Sequence, residues 1–241
     1  MKITVINGTE KHGVTWHLKE IFLEPFQGKA EITEFSLPRD CPSFCSGCTS
    51  CLFKGEQTCK DALYVQKIDQ ALRKSDLIVM TSPAYVMHTT GAMKTLLDHL
   101  AYLWIPHRPA RELFEKRAII ITQCLGSGAR SAAKDIQHSL SWWGISDIRI
   151  FTGKLMSEIL WDQLPEKKRV ELTKGIRRLS AKMARIRYDQ LPQISPAVKL
   201  KLFFVRMMQT SLYENDPEYL DAKSWAEQGW LEDIRPWKGN Q

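Results

Sequence analysis

Five of the six cysteines fall between Cys41 and Cys59. The order Cys45-Ser46-Gly47-Cys48-Thr49-Ser50-Cys51, with Cys59 after seven intervening residues, places four thiols in one short stretch rich in Pro, Ser and Gly. The N-terminus shows no secretory pattern, so this clustering points to metal or redox chemistry rather than to a disulfide framework. A second chemical stretch runs from Asn7 to Thr15. Gly8 and Gly13 let backbone N–H groups turn inward, Thr9 and Thr15 offer hydroxyls, and a helix beginning near Thr15 aims its positive end at the loop. Such a loop suits a terminal phosphate; the plainer reading is a strand-to-helix turn with Thr15 as N-cap. Two more loops could contribute. In Thr81 to Lys94, Pro83 fixes the chain and Tyr85 offers a flat apolar face with a polar tip, suited to an aromatic ring system. In Gln123 to Gly128, two glycines allow close approach of backbone to a ligand.

These loops need strands and helices to bring them together. Apolar, β-branched runs at Ile3–Ile6, Ala30–Phe35, Leu77–Met80, Ala118–Thr122 and Ile148–Thr152 predict five strands. Helical patterns intervene at Thr15–Phe22, Asp61–Lys74, Gly91–Leu103 and Ala129–Trp143. Alternation of this kind specifies an α/β fold with an open parallel sheet and helices on both faces, because parallel strands need crossover connections. Ligands of such sheets bind beyond the carboxyl ends of the strands, where the loops after the first, third and fourth strands converge. The expected division is a sheet domain over residues 1–155, with a cysteine-rich insertion at 37–60, and a helical extension over 156–241.

With 241 residues, 44% of them hydrophobic, the chain can bury a substantial core. No run approaches the roughly 20 apolar residues of a membrane span, and a cytoplasmic location is expected. The net charge of +7 is not spread evenly: residues 166–206 carry 12 Lys and Arg against 3 Asp and Glu. A basic helical segment without a helix-turn-helix or an aromatic RNA-binding pattern is a solvated face rather than a nucleic-acid site. Within it, Pro196 to Leu212 is apolar enough to bury much of its circumference, as a core helix, a dimer contact, a lid, or an amphipathic membrane-surface helix. Gly126 and Gly128 imitate part of a dinucleotide fingerprint, but Ser131 replaces the third glycine and the loop follows the fourth strand, which excludes that assignment. Among the histidines, His88 lies on the loop after the third strand, where the ring would sit; Lys94 and Arg130 are placed to steer the phosphates of a donor.

Taken together, the Asn7–Thr15 loop, the Ser82-Pro83-Ala84-Tyr85 loop followed by Gly91 and Met93-Lys94, and the Gly-rich fourth loop resemble the NADPH-dependent FMN reductase branch of the flavodoxin-like superfamily over about the first 155 residues. The resemblance implies a flavodoxin-like strand order of 2-1-3-4-5. It also implies FMN held by Gly8, Thr9, Lys11, Gly13, Val14 and Thr15 at the phosphate, and by Pro83, Ala84, Tyr85, Val86, Gln123, Gly126 and Gly128 at the ring. NAD(P)H would be the electron donor, a small molecule or a ferredoxin-like protein the acceptor, and a homodimer the assembly. The chain departs from the family in having Thr9-Glu10 and Val14-Thr15 where Ser-Pro and Asn-Thr are usual. Glu10 brings a carboxylate near the phosphate, which Lys11 and His12 offset. The cysteine segment is separately similar to the motif of iron-sulfur flavoproteins, implying a 4Fe-4S cluster on Cys45, Cys48, Cys51 and Cys59, with Cys41 outside it. Redox-active thiols and structural zinc remain open beside the cluster. The competing reading of the whole chain is a non-enzymatic flavodoxin-like module that binds zinc or senses redox state through its cysteine loop.

Overall fold

Strands Lys2–Asn7 (β1), Glu31–Ser36 (β2), Leu77–Pro83 (β3), Arg117–Leu125 (β4) and Asp147–Leu155 (β5) form one parallel sheet in the order β2-β1-β3-β4-β5. The computed structural model describes residues 1–156, 160–232 and 234–237. Helices are Val14–Leu23 (α1), Ser50–Phe53 (α2), Ala62–Lys74 (α3), Gly91–His99 (α4), Ala129–Trp142 (α5), Glu166–Ala184 (α6), Pro196–Asn215 (α7) and Leu220–Glu227 (α8). The central strands are buried on both faces and therefore read as continuous apolar runs. Their period of two divides them between two cores. Ile3, Val5, Leu77, Val79, Ile119 and Ile121 meet α1 and α6; Ile6, Ile78, Met80, Ala118 and Ile120 meet α3, α4 and α5. Helix α6 buries Leu172, Ile176 and Met183 beside Leu18 and Phe22 of α1, which completes the cover of the first face.

Register aligns the loops that matter. Asn7 of β1 stands opposite Thr81 of β3, and Pro83 of β3 opposite Gln123 of β4, so the loops leaving these strands emerge side by side. Beyond α6, the chain builds a third, smaller core in which Val198, Leu202 and Val205 of α7 and Trp225 of α8 pack with Ile105, Phe114 and Trp230. The opposite side of α7 presents Leu200, Phe203, Phe204, Met207 and Met208 to solvent. Helix α8 was not expected from the sequence, where the turn-rich surroundings of Trp225 mask its single buried stripe. The helix expected over Gly91–Leu103 stops at His99 and continues as a tighter turn over Ala101–Leu103, which carries the Tyr102 hydroxyl to Asp69, to which it donates at 2.9 Å. Among the described residues no helix is long and apolar enough to cross a membrane.

Candidate functional site

The loop after β1 is pinned before it reaches its helix. Gly8 N donates to Thr81 O at 2.7 Å, and Thr90 Oγ1 donates to Gly8 O at 2.6 Å. A Cβ on Gly8 would lie 2.8 Å from Thr81 O, so only glycine permits this approach. Gly13, in extended conformation, is the N-cap of α1 and supplies no side-chain acceptor, and the first turn of α1 contains no acidic residue. Its N–H groups and dipole are thus available to an anion. Thr15 is not the cap. It is the second helical residue, 4% exposed, and its Oγ1 has no hydrogen-bond partner. Glu10, Lys11 and His12 stay on the surface, with the His12 ring stacked on Trp16.

The loop after β3 is a tight hairpin. Ala84 N donates to Gln123 O at 2.7 Å; Tyr85 N donates to His88 O and His88 N to Tyr85 O. The two residues between them, Val86 and Met87, have φ of 48° and 72°. This left-handed pair is the geometry of a two-residue hairpin turn that ordinarily selects Asn and Gly, and a β-branched valine there is strained. The turn is clamped from below: Asp135 accepts from Thr89 N at 2.9 Å and from His88 Nδ1 at 3.2 Å, while Ser82 Oγ accepts from Thr89 Oγ1 and Thr90 N. Tyr85 is left half exposed and Val86 almost wholly exposed.

At the end of β4, Gln123 is buried and its Oε1 is unpartnered. Gly126 and Gly128 have φ of +73° and +108°, and a Cβ on Gly128 would come within 2.8 Å of Met87 Cα. The fourth loop therefore packs directly on the hairpin tip. A cleft of about 540 Å³ opens here, lined by Met87, Gly126, Ser127, Gly128, Arg130 and the Thr152–Lys154 end of β5. Two of its walls are cationic, Arg130 and Lys154. Lys94 instead forms an ion pair with Asp98 and lines a separate cavity of about 450 Å³ between α4 and α5. Cys124 is buried, its Sγ 3.9 Å from Gly153 O.

The cysteine loop forms a second centre. Cys45, Cys48, Cys51 and Cys59 wall one pocket together with Asp61 and His99. Cys41 lies in the sheet core, where burial first, then the charges of Asp61 and the neighbouring thiols, push its thiol up to about 11. Burial also raises Cys51 and Cys59, whereas hydrogen bonding from Ser50 holds the exposed Cys48 below the ordinary cysteine value. Among the described residues, one group of three metal-capable side chains has its ligand atoms within 4.8 Å of one another, and it is Cys59, Asp61 and His99 rather than any three thiols. Four thiolates around a single zinc, at Zn–S of about 2.3 Å, would stand about 3.8 Å apart. The thiols are thus spread more widely than one tetrahedral ion needs.

Besides Asp61, three residues that build this centre escaped the sequence reading. His99 is the last residue of α4, 40 positions after Cys59. Arg108 donates to Cys51 O and to Leu52 O, and pairs with Asp221 of α8. Asp221, 2% exposed, also accepts from His107 Nδ1 at 2.8 Å. The last helix therefore fastens the cysteine loop. Helix α4 in turn joins the two centres: Thr90, its N-cap, bonds the β1 loop, and His99 ends in the cysteine pocket. Nine residues at 1.5 Å each set them about 14 Å apart along the helix.

Comparison with known proteins places this geometry. The family model for NADPH-dependent FMN reductase matches residues 1–152. An iron-sulfur flavoprotein of Archaeoglobus fulgidus is 23% identical over 152 residues, covering 63% of this chain and 67% of the relative. An iron-sulfur flavoprotein of Clostridioides difficile is 30% identical over 162 residues, 64% of this chain and 68% of the relative. Among solved structures, an FMN-dependent NADH-azoreductase from Bacillus anthracis, in complex with FMN, aligns with a TM-score of 0.56 at 14% identity, covering 77% of this chain and all of that one. At that identity the structural likeness speaks to the fold.

Proposed function

Because the chain belongs to the NADPH-dependent FMN reductase family and is an NAD(P)H-dependent flavin oxidoreductase, we propose that it holds FMN across the carboxyl ends of β1, β3 and β4 and passes electrons from NAD(P)H to a small-molecule or protein acceptor. The observation that carries this reading is a pair of orphaned buried polar atoms, Thr15 Oγ1 and Gln123 Oε1, one on each side of the converging loops. A buried hydroxyl or amide oxygen without a partner is costly, and a polar ligand relieves the cost. The residues present fit FMN. Thr15, Thr9 and the N–H groups of Gly13 and Val14 would take the phosphate, with Lys11 balancing Glu10 around Gly8. Pro83, Ala84, Tyr85 and Val86 would line one edge of the ring, and Gln123, Gly126 and Gly128 the other.

Bound FMN supplies the hydride and electron chemistry. The chain's own residues do the rest: Asp135 and Ser82 hold the Tyr85 hairpin rigid, Gly128 lets the fourth loop close on it, and Arg130 and Lys154 attract the phosphates of the nicotinamide donor into the adjoining cleft. A 4Fe-4S cluster on Cys45, Cys48, Cys51 and Cys59 would add one-electron transfer toward a ferredoxin-like acceptor, a reading supported by the spread of the four thiols, whose shared void of about 20 Å³ would have to widen to admit it. The exposed apolar side of α7 supports a homodimer contact. The exposed Lys199 in the N-terminal half of that helix would face the acidic end, with Glu214 and Asp216, of an antiparallel copy. The test is a fluorescence titration of flavin-free protein with FMN, followed by NADPH oxidation with a quinone, an azo dye or a ferredoxin. One FMN per chain and turnover with at least one acceptor are expected; a folded chain that takes up no FMN contradicts the proposal.

A further inference from the structure

One corner of the cysteine pocket is built for something that neither the flavin nor a set of four thiols uses. Ser43 O lies 2.9 Å from His99 Nε2. A carbonyl oxygen only accepts, so Nε2 carries a hydrogen, and Nδ1, the other ring nitrogen, is turned toward Cys59 Sγ, 3.7 Å away. Metal-ligating histidines have this arrangement, with the second ring nitrogen donating to a carbonyl that fixes ring and tautomer. Asp61 supplies the independent observation. It is 7% exposed, its Oδ2 has no hydrogen-bond partner, and that oxygen is 3.7 Å from His99 Nε2, the ring nitrogen that also faces Ser43 O. Lys60 approaches it only at 3.9 Å, from a side chain that is mostly in solvent. A buried carboxylate oxygen left in this state calls for a cation.

The dimensions agree with a single ion. Ligand atoms of Cys59, Asp61 and His99 all lie within 4.8 Å of one another. Around a tetrahedral zinc, sulfur and nitrogen ligands stand about 3.6 Å apart, against the 3.7 Å between Sγ and Nδ1. The void they share with the other thiols is about 20 Å³, the space of one ion or one water. We propose that Cys59, His99 and Asp61 form a site for a single divalent cation of the zinc class, with three protein ligands and one open position. On binding, the Cys59 thiol releases its proton to solvent, so that one thiolate, one carboxylate and one neutral imidazole face the ion. The site needs neither the flavin nor the Cys45–Cys51 thiols. Because Cys59 is common to both, the ion and a four-thiolate cluster exclude each other, and a zinc-class ion competes with cluster assembly.

The experiment uses the full-length chain carrying Cys45→Ser, Cys48→Ser and Cys51→Ser, titrated with Co²⁺ and followed by its thiolate-to-cobalt and d–d absorbance. One Co²⁺ per chain in a four-coordinate spectrum is expected. Adding His99→Gln, which still donates to Ser43 O, or Asp61→Asn is expected to weaken binding at least tenfold. Cobalt affinity indifferent to both changes, or no cobalt bound by the folded protein, overturns the proposal. If the triple variant does not fold, the chelator-stripped wild-type chain with ¹⁵N-labelled histidine is titrated with Zn²⁺: the His99 Nδ1 resonance is expected to move, and a resonance that stays in place overturns the site. Iron and sulfide assays on the anaerobically purified wild type address the cluster separately, so the two readings fail independently.

Discussion

Thr15 is the side chain on which the proposed flavin binding turns. Its hydroxyl is buried without a partner at the start of a helix whose first-turn N–H groups have no side-chain cap. Thr15→Val is expected to leave the melting temperature unchanged or slightly raised, because it removes an unsatisfied polar atom. FMN binding is expected to weaken about ten- to a hundredfold, the worth of one hydrogen bond to a charged group at about 1.5–3 kcal/mol; fluorescence titration and thermal melts read the two effects. The thiols divide in the same way. Cys48, exposed and lowered, is expected to react first with iodoacetamide near neutral pH. Cys41, buried and pushed up to about 11, is expected to react last, since it stays protonated well above the pH at which Cys48 ionises. Mass-spectrometric mapping over time checks the order, and early labelling of Cys41 contradicts it. That Gly8 and Gly128 mark close backbone approaches was legible in the sequence, but the atoms they approach, Thr81 O and Met87 Cα, were not. Nor were His99 and Asp61: their meaning lies in a meeting with Cys59 that no spacing announces.

At the scale of elements, the hairpin after β3 stores strain at the site. Val86 at φ 48° is a β-branched residue in left-handed backbone, held because Asp135 and Ser82 fix both ends of the turn. Val86→Asn is expected to stabilise the chain by about 1 kcal/mol, relieving that strain. Gly128→Ala is expected to destabilise it by about 1–3 kcal/mol, combining a φ of +108° with a contact of 2.8 Å to Met87. Urea denaturation measures both, and a neutral Gly128→Ala would show that the fourth loop does not press on the hairpin. The five strands and the helices between them were readable from apolar runs, since a doubly covered parallel sheet leaves little choice of residue. Helix α8 was not readable, because only Ala222 and Trp225 on its apolar side and the charged Asp221 are buried, and the reason for that aspartate lies 113 residues away in Arg108.

The whole molecule depends on that long-range pair. Arg108 and Asp221 are 11% and 3% exposed at their side chains, and Arg108 also holds the carbonyls of Cys51 and Leu52. Arg108→Ala is expected to cost about 3 kcal/mol, the low end for breaking a buried pair, because His107 still reaches Asp221. It is also expected to speed alkylation of Cys51, which a purely local loss of stability in the C-terminal helices would not do. Alkaline pH supplies a second global test. Burial raises Tyr102, Tyr188 and Cys41, so the folded chain keeps protons that the unfolded chain releases. Their stabilisation is complete below the unfolded values and is lost as pH rises above about 9. Melting temperatures are expected to fall over that range, and to fall less steeply in Tyr102→Phe/Tyr188→Phe.

Everything proposed for the site rests on a flavin held by the converging loops and reduced by a nicotinamide donor. This is tested most directly by adding NADPH, without oxygen, to full-length protein reconstituted with FMN and following the visible flavin absorbance. One flavin per chain is expected, bleached by NADPH in wild type and poorly retained in Thr15→Val. A folded chain that binds no FMN, or one whose bound FMN stays oxidised under excess NADPH and NADH, would contradict the proposal.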